Sequence, residues 1–385
     1  MGSAPLTIGV VAGEASGDQL GAHLIKALRL RLPQARFTGI GGPRMQAEGM
    51  EVLYPLEKLA VRGYVEVLKH YFEIVGIRRR LGAYFLKERP ALFVGVDAPD
   101  FNLGLEARLK AAGIPTVHYV GPQIWAWRRE RIDHIRRAVD RMLVVFPFEQ
   151  ELYEQAGVPV TYVGHPLAEM LPTTPDRKAM REQLRLPAAA KVIAMLPGSR
   201  AAEVEHLAAL FIETASNIAA AAPGTHFLVP LVSRQTREIF EAALYRRPTE
   251  ELNLTVLFGH AHDAMTAADL VLAASGTATL EAALIGRPVV IAYRMPALSW
   301  WIMNRRPYLP YVGLPNVVAG EFVVPEFLQD EATPENLSQA VLNLLFDNTV
   351  RLRLEARFAA MADDLRQDSR SRIASALVPM LRPAS

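Results

Sequence analysis

Short, almost unbroken apolar runs alternate with helical patterns along the chain, and the alternation starts over once. The first set is "LTIGVVAG" (6–13), "RFTGIGG" (36–42), "ALFVGVD" (91–97), "TVHYVG" (116–121), "RMLVVFP" (141–147) and "VTYVG" (160–164), with helical patterns over 17–31, 64–88 and 102–113. Strands with one wet face alternate apolar and polar residues, whereas strands covered on both faces do not. These runs therefore predict a doubly wound parallel sheet in an α/β fold. A proline-marked break, "HPLAEMLPTTPD" (165–176), closes the set. "KVIAMLP" (191–197), "THFLVPL" (225–231), "LTVLFG" (254–259), "DLVLAAS" (269–275) and "PVVIAY" (288–293) form a second one, and from about 335 the pattern is helical only. The organisation expected is two Rossmann-like domains, 1–168 and 169–345, facing a cleft, with helices over 346–385 that can pack back on the first. A length of 385 residues fits two domains.

Composition removes several classes of function. With no cysteine, the chain has no disulfide, thiolate zinc site or thiol nucleophile. The 42 Lys and Arg nearly balance 40 Asp and Glu, and no basic block points to nucleic acid. The start "MGSAPLTIGVVAGE" has no basic region of the signal-peptide kind, and no run reaches the length of a membrane span. A soluble or peripherally attached protein is expected.

In open parallel sheets ligands sit beyond the carboxyl ends of the strands, so the loops there are where chemistry is sought. The first is "GVVAGEASGDQLGAHL" (9–24), with Gly13, Gly17 and Gly21 four apart. It is neither G-x-G-x-x-G nor a Walker loop, and Glu14 and Asp18 sit where a phosphate loop is neutral or basic. An acid-bearing loop suits sugar hydroxyls better, with Ser16 as a further polar contact. Asp18 is equally an ordinary first-turn acid. "VGVDAPDFN" puts Asp97 directly after a buried strand, and Asp100, the competing carboxylate, near the start of the next helix. A free aspartate is a poor base for an alcohol, so burial or a neighbour must help. His118, on the adjoining strand, is either that neighbour or a plain buried histidine.

In the second half "MLPGSR" (195–200) ends a strand and opens a helix. Gly198, Ser199 as a capping residue and Arg200 at a helix N-terminus suit a diphosphate without a metal. "AASGTATLEAALIG" (273–286) repeats the arrangement with Ser275, Gly276 and Thr277, and adds Glu281 one turn into the helix as a partner for ribose hydroxyls. "LPNVVAG" offers Asn316. "GHAHD" (259–263) reads as a loop before a helix rather than a metal site, and "DAPD" is not the D-x-D of metal-dependent transferases. Two segments join aromatic and basic residues as membrane-surface elements do: 64–88, with Arg78, Arg79 and Arg80, and 298–311, with Trp300, Trp301, Arg305 and Arg306.

The stretch S-G-T-A-T-L-E after a strand resembles the nucleotide-sugar signature of GT-B glycosyltransferases. More closely, "VAGEASGD", "GPRM", "FVGVDAPDFN", "HYVGPQIWAWR", "LPGSRAAEVEHL", "ASGTATLEAAL" and "LPNVVAG", in this order, resemble the lipid A disaccharide synthase family. That resemblance implies an inverting transfer of the sugar of UDP-2,3-diacylglucosamine to the 6-hydroxyl of 2,3-diacylglucosamine 1-phosphate, at the cytoplasmic face of the inner membrane. It implies an acceptor-binding first domain, a UDP-sugar-binding second domain, and neither cofactor nor metal. It favours Asp97 over Asp100 as base, the Gly13–Asp18 turn as the acceptor loop, and Asn316 by the cleft, orienting donor or base; otherwise Asn316 is a turn residue after Pro315. A UDP-N-acetylglucosamine 2-epimerase and a non-catalytic, membrane-docked UDP-sugar binder are the competing expectations.

Overall fold

The structure is a computed structural model that describes residues 6–59, 64–125, 129–246, 252–296, 300 and 309–381. Its internal contacts divide the chain into two units, Met1–Glu169 with Leu365–Ser385, and Met170–Asp364.

The first unit runs β1 (Thr7–Ala12), α1 (Ala15–Arg29), β2 (Arg36–Gly41), α2 (Pro43–Ala47), β3 (Glu51–Pro55), α3 (Tyr64–Glu88), β4 (Leu92–Val96), α4 (Pro99–Ala111), β5 (Thr116–Tyr119), α5 (Ile132–Ala138), β6 (Arg141–Val144), α6 (Pro147–Gln155) and β7 (Val160–Tyr162). Its seven strands lie parallel in the order β3-β2-β1-β4-β5-β6-β7. The chain steps outward from β1 to β3 and returns to β4 on the other side of β1. That reversal puts the loops after β1 and β4 at the switch point of the sheet, the place beyond the carboxyl ends of the strands where open α/β sheets bind their ligands. Every residue of β4 is buried, as its unbroken apolar run requires. In α3 the stripe Ile77, Leu81, Phe85, spaced by four, packs into the same core. Phe85 meets Phe93 edge-on at 5.3 Å between ring centroids, a geometry worth about 0.5–1.5 kcal/mol beyond the area buried.

After a short helix α7 (Pro166–Met170), the second unit runs α8 (Arg177–Gln183), β8 (Val192–Leu196), α9 (Ala201–Ala221), β9 (His226–Leu231), α10 (Arg234–Tyr245), β10 (Asn253–Phe258), α11 (Ala261–Ala267), β11 (Leu270–Ala274), α12 (Thr277–Leu284) and β12 (Val289–Tyr293), then helix Leu314–Ala319 and β13 (Glu326–Leu328). The parallel order β10-β9-β8-β11-β12-β13 puts a second reversal between β8 and β11. Helices Pro334–Phe346 and Asn348–Leu365 follow.

The strands expected from the apolar runs are present, their ends displaced by up to three residues. Two more appear that the pattern did not announce, β3 and β13, both at sheet edges. β3 is half-buried or exposed throughout and reads "EVLYP", so it carries no continuous apolar run. Helix α4 begins at Pro99 rather than 102, because proline at the first turn fixes φ where no N–H is needed.

The chain returns to the first unit at its end. His165 N–H donates to the Leu365 carbonyl at 2.9 Å, Arg366 Nε to Ala168 at 2.8 Å, and helix Ser369–Leu377 lies against α1. The His165 ring, 5.3 Å from Phe146, accepts a 3.3 Å bond from Leu167 N–H on Nδ1, and burial pushes its pKa down to about 4. An unfolded histidine titrates near 6.5, so between those values the unfolded chain binds the extra proton and stability falls as pH drops. The full linkage is on the order of 3 kcal/mol. Urea unfolding followed in the first unit should show His165→Gln losing less stability than the native chain between pH 7 and 4.5. Equal losses would remove His165 from the acid sensitivity.

Candidate active site

In the first unit the turns after β1 and β4 touch at the strand-order reversal. Asp97 and Ala98 sit consecutively at φ 51° and 45°, a left-handed pair without a glycine. Such residues cost about 1–3 kcal/mol each and persist only where the surroundings hold them. Three contacts do so. Asp97 N–H donates to the Tyr119 carbonyl at 2.9 Å, extending the β4–β5 ladder by one residue. Asn102, fully buried in α4, donates from Nδ2 to the carbonyls of Asp97 at 2.8 Å and Val11 at 3.2 Å, so one amide pins both strand ends. Gly13 completes the turn, since a Cβ there would stand 2.6 Å from that of Ala98.

The carboxyl of Asp97 is thereby fixed in a half-buried position at the end of β4. Burial pushes its pKa upward, the Ala98 N–H and nearby His118 pull it back, and the Glu14 charge adds to the rise. A carboxylate raised above its ordinary range is the kind that takes a proton from an alcohol. His118 is itself paired, its Nδ1 lying 2.8 Å from Glu106 Oε1 with both side chains fully buried. Burial works to lower the His118 pKa, but the Glu106 carboxylate and then Asp97 outweigh it, and the net shift is upward.

The remaining first-unit candidates separate. Asp100 is 83% exposed and ion-paired with Arg131 at 2.7 Å, away from any low-dielectric setting. Asp18 needs correction as a hydroxyl-binding acid. It is 3% exposed, and its carboxylate accepts from the backbone N–H groups of Gly42, Arg44 and Met45 at 2.8–3.1 Å. It caps α2 and locks the turn after β2. Ser16 is exposed and Glu14 half-buried at the N-terminus of α1, while Gly17 is buried against Ala12 and Val96.

In the second unit the turn after β8 brings Gly198, Ser199 and Arg200 to the N-terminus of α9. Arg200, not Ser199, holds the capping position, and Glu203 does the capping. Its Oε2 accepts from Ser199 N–H at 3.0 Å and Arg200 N–H at 3.2 Å, while Oε1 lies 3.4 Å from Arg200 Nη1. Gly198, at φ 131°, lets that carboxylate approach, because a Cβ there would stand 2.5 Å from Glu203 Cβ. After β11, Ser275 continues the β11–β12 ladder, donating its N–H to Ala292 at 3.1 Å. Gly276 and Thr277 are exposed at the mouth of α12, with open space beside Gly276. Glu281 accepts from His262 Nε2 at 2.9 Å, and that bond raises the His262 pKa. The "GHAHD" segment thus supplies a partner for Glu281, which the sequence reading missed. Asn316 is buried, and its amide is bound to Val323, Val324 and Glu326 at 2.6–2.9 Å. It shapes the loop before β13, as the turn reading of this residue expects.

Among the described residues no group of three or more His, Asp or Glu is arranged to hold a metal, and no helix is long and apolar enough to cross a membrane. Of the membrane-contact candidates, Trp301, Arg305 and Arg306 lie outside the described residues. Trp300 is half-buried, its N–H bound to the Pro296 carbonyl at 3.0 Å.

Two doubly wound units of this kind define the GT-B architecture of nucleotide-sugar enzymes. Solved structures agree: UDP-GlcNAc 2-epimerase from Neisseria meningitidis superposes with a TM-score of 0.64 at 13% identity, covering 97% of this chain and 100% of that one. MurG from Acinetobacter baumannii gives 0.56 at 16% identity, covering 98% and 99%. The chain belongs to the lipid-A-disaccharide synthetase family, whose model matches residues 8–378. It is 55% identical over 376 residues to the lipid-A-disaccharide synthase of Methylobacillus flagellatus (98% of this chain, 100% of the relative). To that of Azoarcus it is 56% identical over 374 residues (97% and 96%).

Proposed function

We propose that the chain joins UDP-2,3-diacylglucosamine to 2,3-diacylglucosamine 1-phosphate in one inverting displacement, giving a β-1,6-linked disaccharide 1-phosphate and UDP. Asp97 takes the proton of the acceptor 6-hydroxyl as its oxygen attacks the anomeric carbon, and the bond to the UDP oxygen breaks in the same step. The chief support is Asp97 itself, a carboxyl of raised pKa held on a left-handed turn at the reversal, in a chain that matches the family over nearly its whole length. The Gly13–Gly17 turn, with Glu14 and Ser16, meets the acceptor. Glu281 receives the ribose hydroxyls. Arg200 and the first turns of α9 and α12 receive the diphosphate, which takes the N–H groups that Glu203 now holds. The test of inversion is the anomeric proton coupling of the new linkage in the NMR spectrum. A large, axial–axial value is expected, and a small one would mean retention.

Charge on the leaving diphosphate is balanced here by Arg200 and helix ends rather than by a metal, so activity should survive EDTA. Loss in chelator with recovery in magnesium or manganese would overturn that assignment. Both substrates carry acyl chains, so the enzyme works as a peripheral protein at the cytoplasmic face of the inner membrane. Its contacts there are the 298–311 segment with Trp300 and Trp301 and the basic aromatic surface of 64–88. Co-sedimentation with anionic vesicles should fall in the Trp300→Ser/Trp301→Ser variant while its melting temperature holds.

A further inference from the structure

Three buried polar side chains meet behind Asp97 and take no part in the displacement: Asn102 and Glu106, four apart on α4, and His118 on β5. The β4–β5 register sets His118 opposite Gly95, and the next residue, Tyr119, accepts the Asp97 N–H, so the imidazole on β5 neighbours the base one residue past the end of β4. Gly95 makes the arrangement possible. A Cβ at that position would stand 2.2 Å from Glu106 Oε1 and 2.9 Å from Asn102 Cβ. Among the described residues His118 Nε2 and Glu106 Oε2 have no hydrogen-bond partner although both are buried. Unpaired buried atoms and a buried acid–imidazole pair both cost stability, and an apolar filling would hold the core as well.

Resting on the assignment of Asp97 as the base, we infer that Glu106 and His118 act on it as a unit, Glu106 fixing the His118 ring and His118 supplying the positive charge against which Asp97 ionises. The pair is a positioning device, since neither residue needs to touch a substrate. The titratable groups facing Asp97 are His118 from β5 and Glu14 from the start of α1; those facing His118 are Glu106 from α4 and Asp97. Glu14 opposes ionisation of Asp97, and His118 is the favourable neighbour. Removing the His118 charge leaves Asp97 harder to ionise, so the acid limb of kcat/KM moves to higher pH. Neutralising Glu106 makes His118 easier to deprotonate and moves the limb the same way.

The experiment is the pH profile of kcat/KM for the native chain, His118→Gln, Glu106→Gln and the double variant, each checked by thermal melting. The acid limb should rise by about 0.5–1 pH unit in each single variant, with the double variant no further than His118→Gln alone and the KM for the UDP-sugar unchanged. Folded variants whose limb stays in place would overturn the inference, whatever their melting temperatures. Histidine 15N NMR on the native chain decides the matter if the buried variants do not fold. His118 should be doubly protonated at pH 7, and Asp97→Asn should lower its titration midpoint; a neutral ring, or a midpoint indifferent to Asp97→Asn, would overturn it. Near-normal turnover in Asp97→Asn would remove the base itself. Lost turnover in Asp97→Asn with an unmoved acid limb in the pair's variants would remove only this inference.

Discussion

Asp97→Asn should lower turnover by about 10²–10⁴-fold, the usual contribution of a general base, and leave the KM for the UDP-sugar nearly unchanged. The replacement keeps shape and backbone contacts but cannot take a proton. Because burial disfavours the native carboxylate, the amide should fold at least as well, which separates a catalytic loss from a structural one. Near-normal turnover would exclude Asp97. Asp100, exposed and tied to Arg131, would be a poor replacement, and Glu14 on the neighbouring turn the better one.

The second large effect falls on nucleotide binding. Glu281→Ala and Arg200→Ala each remove a charge-assisted hydrogen bond worth roughly 1.5–3 kcal/mol, so UDP affinity by calorimetry should fall about 10- to 150-fold in each. Arg200 caps the helix after β8 and Glu281 lies one turn into the helix after β11, on either side of the reversal where folds of this class bind their ligands. Arg200 now pairs with Glu203, and that pair must open for the diphosphate to enter. Unchanged affinity in both variants would put the nucleotide elsewhere.

The two sheets and the turns after β1, β4, β8 and β11 were legible in the sequence because both-face burial writes continuous apolar runs. Edge strands β3 and β13 were not, since half-wet strands of three to five residues carry no such run. At the site, Asp97 stood out as an acid directly after a strand, Arg200 as a cation at a helix N-terminus and Glu281 as an acid one turn into a helix. What escaped were partners distant in sequence. Asp18 finds its three N–H groups 24 to 27 residues on, and His262 reaches Glu281 across 19. Glu106 did leave a trace, for Asn102 and Glu106 are polar residues at helical spacing on the buried face of α4. Asn316 stayed open in the sequence because an amide in an apolar loop looks the same whether it meets a ligand or closes its own turn.

The central claim is tested most directly by mixing the purified chain with UDP-2,3-diacylglucosamine and 2,3-diacylglucosamine 1-phosphate in mixed micelles and separating the products. The account predicts equal amounts of UDP and β-1,6-linked disaccharide 1-phosphate, both dependent on the acceptor and both nearly absent with Asp97→Asn. UDP released at the same rate without acceptor, or UDP-N-acetylglucosamine converted to its 2-epimer with no disaccharide formed, would contradict it.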